Sequence, residues 1–181
     1  MGRAFRGAHS LYERALHRRR HLAARRRLSK AERPRRMLVV CYGNICRSPY
    51  LQAVLQRALP DIATTSAGFV GNDRPVPQIS ISLSAERGLD LSRHRSRLIA
   101  QSGIADADLV IVMDAEQAGR IARTFRVRRE RIVIAGDLDP MFETTRAIRD
   151  PWNLPIEVFK ASFDRLDRCA ASLVSVLRPT K

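Results

Sequence analysis

The stretch Met37-Leu38-Val39-Val40-Cys41-Tyr42-Gly43-Asn44-Ile45-Cys46-Arg47-Ser48-Pro49 decides how this chain is read. Met37 to Val40 is an apolar run without polar alternation, the pattern of a strand buried on both faces. Pro49 opens a helical pattern, because proline suits the first helical turn, where its missing N–H costs nothing. Between strand and helix lie a thiol, a glycine, an asparagine and an arginine. Such a turn aims the backbone N–H groups of Tyr42, Gly43, Asn44, Ile45 and Cys46 into one concavity, above the positive end of a helix dipole. An oxyanion such as phosphate fits there. Cys41, at the floor of that cradle, is expected to ionise readily, since donors and dipole favour thiolate over thiol. Arg47 adds a planar fork able to hold two phosphate oxygens, and the Ser48 hydroxyl can bond to the sulfur. A nucleotide P-loop does not fit, because no Gly-Lys-Ser/Thr follows Gly43.

Outward from this stretch, strands alternate with helices. Leu51, Val54, Leu55, Ala58 and Leu59 recur at helical spacing until Pro60 ends the helix. Ile62 to Ala67 reads as a second strand, 78–88 as a helix closed by Gly88, and Asp108 to Asp114 as a third, buried strand. Ala118, Ile121, Ala122 and Phe125 form one helix face, and Ile132 to Ala135 is the fourth strand. The loop from Gly136 to about Leu154 is too long to be idle in a compact domain. Ile156, Phe159, Phe163, Leu166, Ala170, Leu173 and Leu177 then form a single apolar stripe, alternately three and four residues apart. This order predicts an α/β fold: a four-stranded parallel sheet flanked by helices on both faces, in three layers. Such sheets bind ligands at the carboxyl ends of strands where strand order reverses, and the loop after the first strand belongs there.

Composition separates the chain into two parts. Residues 1–36 hold 13 of the 33 basic residues and 2 of the 18 acids, a net +11 out of the total +15, which leaves only +4 for the remainder. We therefore divide the chain into a basic extension, 1–36, and a domain, 37–181, with Arg33-Pro34-Arg35-Arg36 as the boundary. In the extension, Leu11, Ala15, Leu22 and Ala23 are thinly interleaved with Arg18-Arg19-Arg20 and Arg25-Arg26-Arg27, so it is expected to be disordered or partly helical and to bury little. Three readings of it stay open: a solvated tail or a start set too far upstream, an arm for nucleic acid or anionic lipid, or an organellar targeting segment if the source is eukaryotic. Three cysteines with no secretory apolar region point to free thiols in a reducing cytoplasm. No apolar run approaches the roughly 18 residues that a transmembrane helix needs.

The segment from Cys41 to Pro49 resembles the active-site signature of the low-molecular-weight protein tyrosine phosphatases. A bare Cys-x5-Arg spacing is common, but Gly-Asn-Ile-Cys-Arg-Ser-Pro after a strand-borne Cys is specific, and the likeness extends over residues 37–178. The resemblance implies a hydrolase that forms a cysteinyl-phosphate and acts on a phosphotyrosine protein or other aryl phosphate, with no cofactor and no metal. Ser66-Ala67-Gly68 is similar to the family's Ser-Ala-Gly, whose serine helps hold the phosphate loop, here with Asn44. His94-Arg95-Ser96-Arg97 is similar to the family's His-x-x-Arg, which places His94 in the network behind the loop. Cys46 stands where some family members carry a second loop cysteine that pairs with the first under oxidant; the alternative is simple packing. Two rivals share these residues. Related arsenate reductases use the same loop but need relay cysteines, and none lies between Cys46 and Cys169. The other rival is a catalytically idle domain whose basic arm binds polyanions, which an intact Cys41, Arg47 and Asp150 argue against.

Expelling an alkoxide or phenolate from phosphorus requires an acid beside the leaving oxygen. Before Cys41 the only acids are Glu13 and Glu32, so the acid comes from downstream. Two Asp-Pro pairs compete in the long loop, Asp139-Pro140 and Asp150-Pro151. The resemblance favours Asp150, because the family's acid lies in an Asp-Pro-aromatic motif shortly before the last helix and Trp152 supplies the aromatic. Tyr42 and Trp152 could sandwich an aromatic ring between them. Phe69 stands near the place where members with a strong phosphotyrosine preference carry a Trp.

Overall fold

The computed structural model describes residues 2–178, with side chains from Tyr12 onward; Met1, the side chain of Leu11 and residues 179–181 of the expected domain lie outside the described residues. In chain order the elements are helix α1 (Gly2–Lys30), β1 (Arg36–Cys41), α2 (Arg47–Ala58), β2 (Ala63–Gly68), α3 (Gln78–Ala85), β3 (Leu109–Val112), α4 (Ala115–Thr124), β4 (Ile132–Ile134) and α5 (Ile156–Leu177). The four strands form one parallel sheet in the order β2-β1-β3-β4. Val39 lies opposite Ser66 on one side and Ile111 on the other. The chain leaves β1 towards β2 and later returns to β1's other side, so strand order reverses at β1. Its carboxyl end, Cys41, is the switch point at which such sheets take ligands.

Both faces of the sheet are covered, which is why β3, β4 and β1 after Arg36 read as continuous apolar runs, whereas edge strand β2 carries Thr64, Thr65 and Ser66. Met37, Val39 and Cys41 face one core with Leu51 and Leu55 of α2 and Phe163 and Leu166 of α5. Leu38 and Val40 face the other, with Ile121 of α4 and with Ile99 and Ile104 from the connection before β3. The stripe on α5 is buried along its length at Phe159, Phe163, Leu166, Ala170, Leu173 and Leu177. Phe163 is fully buried and stacks on Tyr50 of α2, ring centroids 3.8 Å apart. Truncating it to Ala would cost about 3–5 kcal/mol, the sum of lost transfer energy and an unfilled cavity. The Tyr50 hydroxyl donates to Asp167 of α5 at 2.7 Å, so the polar tip of this buried ring is satisfied as well.

The extension departs from expectation. It forms helix α1 and docks on the domain, and Ala24 and Leu28 enter the core beneath α5. Its apolar face is as small as the sequence implies, with Leu22 and Tyr12 exposed. The docking is instead polar. His17 Nε2 meets the Asp139 carbonyl at 3.0 Å and His21 Nδ1 the Asp137 carbonyl at 3.2 Å. Arg25 donates to the carbonyl and hydroxyl of Ser172, both at 3.0 Å, and Arg27 to the Ile132 carbonyl of edge strand β4 at 2.6 Å. Among the described residues no helix is long and apolar enough to cross a membrane.

Candidate active site

At the end of β1 the Cys41 sulfur lies 3.0 Å from the Ser48 hydroxyl and accepts the Asn44 N–H at 3.2 Å. Helix α2 starts at Arg47 with no side-chain cap at Cys46 and no acid in its first turn. The positive end of its dipole is therefore unopposed beneath the loop.

Asn44 holds the loop's shape. It adopts a left-handed conformation (φ 52°), which Asn tolerates better than most residues, and it is fully buried. Its amide group donates to Ser48 Oγ at 2.9 Å and Ser66 Oγ at 2.8 Å, while its Oδ1 accepts the Arg97 N–H at 2.9 Å. Ser66 in turn donates to Gln52 at 2.6 Å. His94 Nε2 lies 2.9 Å from the Asn44 carbonyl. Burial lowers the His94 pKa against the pull of that carbonyl, and the Arg97 and Arg95 charges add to the fall. Because a carbonyl oxygen can only accept, Nε2 carries the proton of this bond and donates it. Gly68 is needed for close approach, because a Cβ there would lie 2.8 Å from the Asn44 nitrogen and 2.9 Å from the Tyr42 carbonyl oxygen.

Arg47 is only 4% exposed. One terminal nitrogen donates to the Ile148 carbonyl at 2.9 Å and the other is paired with the Asp150 carboxylate. Its Nε is buried and has no hydrogen-bond partner among the described residues. A buried donor left unpaired costs free energy, so this one is suited to an oxyanion held in the loop. Asp150, with its side chain 45% exposed, lines one cleft with Cys41, Tyr42, Cys46 and Trp152. Tyr42 and Trp152 flank it as exposed aromatics. Asp139 is elsewhere: it is fully buried and bonded to Arg165 at 3.1 Å and to Arg168 at 2.9 and 2.8 Å.

Of the residues singled out in the sequence, the structure thus brings together Cys41, Tyr42, Gly43, Ile45, Cys46, Asp150 and Trp152 around the cleft, with Arg47 bonded to Asp150. Asn44, Ser48, Ser66 and His94 lie behind it. Phe69 does not line this cleft; its ring lies under the Arg120 guanidinium, 4.4 Å away. Cys46 is buried, and burial pushes its thiol up to about 12; Cys169, on the buried face of α5, is held equally high by burial. Sequence reasoning missed Arg74, which lines the cleft and donates to the Gly43 carbonyl at 3.0 Å, because no local pattern marks it. Gln52 was legible in principle, one helical turn after Ser48 on α2. Among the described residues no group of three or more His, Cys, Asp or Glu is placed to hold a metal ion.

Comparison with known proteins shows the family and the fold. The sequence profile of the low molecular weight phosphotyrosine protein phosphatases matches residues 36–181. The probable low molecular weight protein-tyrosine-phosphatase EpsP of Ralstonia nicotianae is 31% identical over 143 residues, which cover 78% of this chain and 95% of that protein. The crystal structure of the tyrosine phosphatase Wzb from Escherichia coli K30 in complex with sulphate superposes with a TM-score of 0.73 at 27% identity, covering 80% of this chain and 99% of that one. The YwlE arginine phosphatase from Geobacillus stearothermophilus is similar to the same extent, with a TM-score of 0.70 at 28% identity over 78% of this chain and 92% of that one.

Proposed function

The chain belongs to the low molecular weight phosphotyrosine protein phosphatase family, and from that premise we propose how its own residues carry out phosphotyrosine hydrolysis. The phosphoryl group sits in the loop, its oxygens on Arg47 Nε and on the N–H groups of residues 42–47. The Cys41 sulfur attacks phosphorus as the P–O bond to the tyrosine breaks, and Asp150 gives its proton to the departing oxygen. Water then gives a proton back to Asp150 and attacks the cysteinyl-phosphate; the thiolate leaves towards the Ser48 hydroxyl and phosphate is released. The Asp150–Arg47 pair supports this exchange, since an incoming phosphoryl group competes for the same guanidinium and frees the carboxyl for the leaving oxygen. The Asn44 side chain, Ser66 and His94 hold the loop in shape from behind and do not touch the substrate.

The observation that carries this reading is one cleft shared by the loop thiol and the Asp150 carboxyl, beside a buried arginine with a donor to spare. Tyr42 and Trp152, as exposed walls, favour an aryl phosphate. The likeness to an arginine phosphatase brings in a second substrate class, because a planar guanidinium also stacks between aromatic rings. Residues 37–181 carry the chemistry in this account, and the free thiol at Cys41 suits a reducing compartment such as the cytoplasm. The basic extension remains a candidate surface for nucleic acid or anionic lipid. Turnover of p-nitrophenyl phosphate, phosphotyrosine, phosphoserine, phosphoarginine and arsenate, with Cys41→Ser as control, tests the reading. We expect phosphotyrosine and the aryl ester to lead and the Ser variant to be inactive; preference for phosphoarginine would move the assignment to the second class, and activity in the Ser variant would end it.

A further inference from the structure

The cleft at Cys41 has a volume of about 100 Å³, yet a cavity of about 420 Å³ lies on the other side of the sheet's edge. It is bounded by α1, by the first turns of α4 and by edge strand β4, which pairs only with β3. Its size has a simple cause. α1 packs with one face of the sheet and α4 with the other, and where they approach each other around β4 they present Ala23, Ala24, Ala118 and Gly119, too small to fill the space between them. Volumes of this order with apolar walls and a few polar groups are those of small-molecule sites.

The polar groups are nearly all of one sign. Arg20, Arg27, Arg129 and Arg146 line the cavity against a single carboxylate, Asp137. That carboxylate is already held by Arg146 through two bonds, at 2.8 and 2.6 Å. Arg27 gives one donor to the Ile132 carbonyl. The side chains of Arg20 and Arg129 make no hydrogen bond or ion pair among the described residues. Guanidinium groups that outnumber the acids beside them repel one another unless a further anion joins them, and their planar forks match phosphate oxygens. We propose that this cavity binds a multiply charged phosphate ester of nucleotide size, its phosphates on Arg20 and Arg129 and its body against the Ala and Gly walls. The site needs α1. The family profile begins at residue 36, so this is a binding site added by the extension rather than one shared with the catalytic domain.

The test measures ATP binding to the full chain by calorimetry, without metal, in the presence of saturating benzylphosphonate to occupy the Cys41 cleft. Adenosine and tripolyphosphate are run beside it. The proposal predicts one ATP per chain, binding at about 1 mM or tighter, weakening with salt, no binding of adenosine, and hydrolysis of p-nitrophenyl phosphate unaltered by ATP. Arg20→Gln combined with Arg129→Gln should weaken ATP binding about tenfold or more, the worth of lost charge-assisted bonds. Ala23→Glu, an exposed helix position that accepts Glu readily, should do the same by placing a carboxylate in the cavity while leaving hydrolysis unchanged. ATP binding that benzylphosphonate abolishes, that none of these substitutions alters, or that is absent at about 1 mM would overturn it.

Discussion

The two ends of the segment between β4 and α5 carry the same dipeptide in opposite surroundings. Asp139 precedes Pro140 and is fully buried, bonded to Arg165 and Arg168. Asp150 precedes Pro151 at the rim of the Cys41 cleft, half exposed, with Arg47 as its charged partner. Burial alone would raise the Asp139 carboxyl, but the Arg168 bonds, the Met141 N–H and the two guanidinium charges outweigh it, and its pKa falls. Such a group stays ionised and makes a strut. A general acid must instead give up its proton and its partner in every turnover, which only an accessible carboxyl can do. The dipeptide is therefore uninformative by itself, and its neighbours decide the role.

The comparison breaks most visibly at Asp150. Asp150→Asn should lower kcat for phosphotyrosine roughly 10²–10⁴-fold, the usual worth of a positioned acid, with little change in melting temperature. The loss should shrink for esters whose leaving group needs no proton, which kinetics across a series of substituted phenyl phosphates would show. Asp139→Asn should behave the other way round. It leaves the buried Arg165 charge uncompensated, so stability should fall by about 3–5 kcal/mol and the melting temperature by about 10 °C, while the folded enzyme keeps its turnover. The sign of the pH dependence follows. A depressed carboxylate pKa contributes stability above the unfolded value of about 3.9, and that contribution is lost as pH falls through the folded value. Denaturation midpoints of wild type and Asp139→Asn should therefore differ by a constant amount between about pH 5 and 8 and converge in stronger acid.

Smaller effects sharpen the contrast between chemistry and scaffold. Deleting residues 1–36 should leave aryl-phosphate turnover within about twofold, because the family profile matches residues 36–181 and hardly reaches into the extension. It should still lower stability measurably, since Leu28 leaves the core and the Ile132 carbonyl loses its Arg27 donor. At Cys46 the expected difference concerns recovery rather than rate. After peroxide treatment and thiol rescue, wild type should regain more activity than Cys46→Ser if Cys46 captures oxidised Cys41; equal recovery would leave it a packing residue, which its buried, protonated thiol also suits.

These contrasts also explain what could be read from the sequence. The loop from Cys41 to Ser48 was legible because its cradle is made by neighbours: Asn44, Ser48 and the start of α2 lie within one helical turn of each other. Strands β1, β3 and β4 were legible because both faces of the sheet are buried and these strands are nearly unbroken apolar runs; edge strand β2, with Thr64, Thr65 and Ser66, is not one. The α5 stripe was readable from Phe159 to Leu177, and the observed helix begins and ends with the first and last residues of the pattern, although Ile156 at its start is exposed. The docking of α1 was not, because it depends on His17, Arg25 and Arg27 reaching backbone carbonyls more than a hundred positions away, and carbonyls leave no mark in a sequence. Nor was the clamp on Asp139: Arg165 and Arg168 sit three apart on α5, which marks a shared face but not what that face holds.

The central claim is that hydrolysis passes through phosphate bound to Cys41, with Asp150 in attendance. Rapid acid quench of the full chain during turnover of a labelled aryl phosphate, followed by peptide mapping, tests it most directly. The account predicts label on Cys41 in wild type, none in Cys41→Ser, and none displaced to Cys46 or Cys169. Sustained turnover without label on Cys41, or label on any other residue, would contradict it.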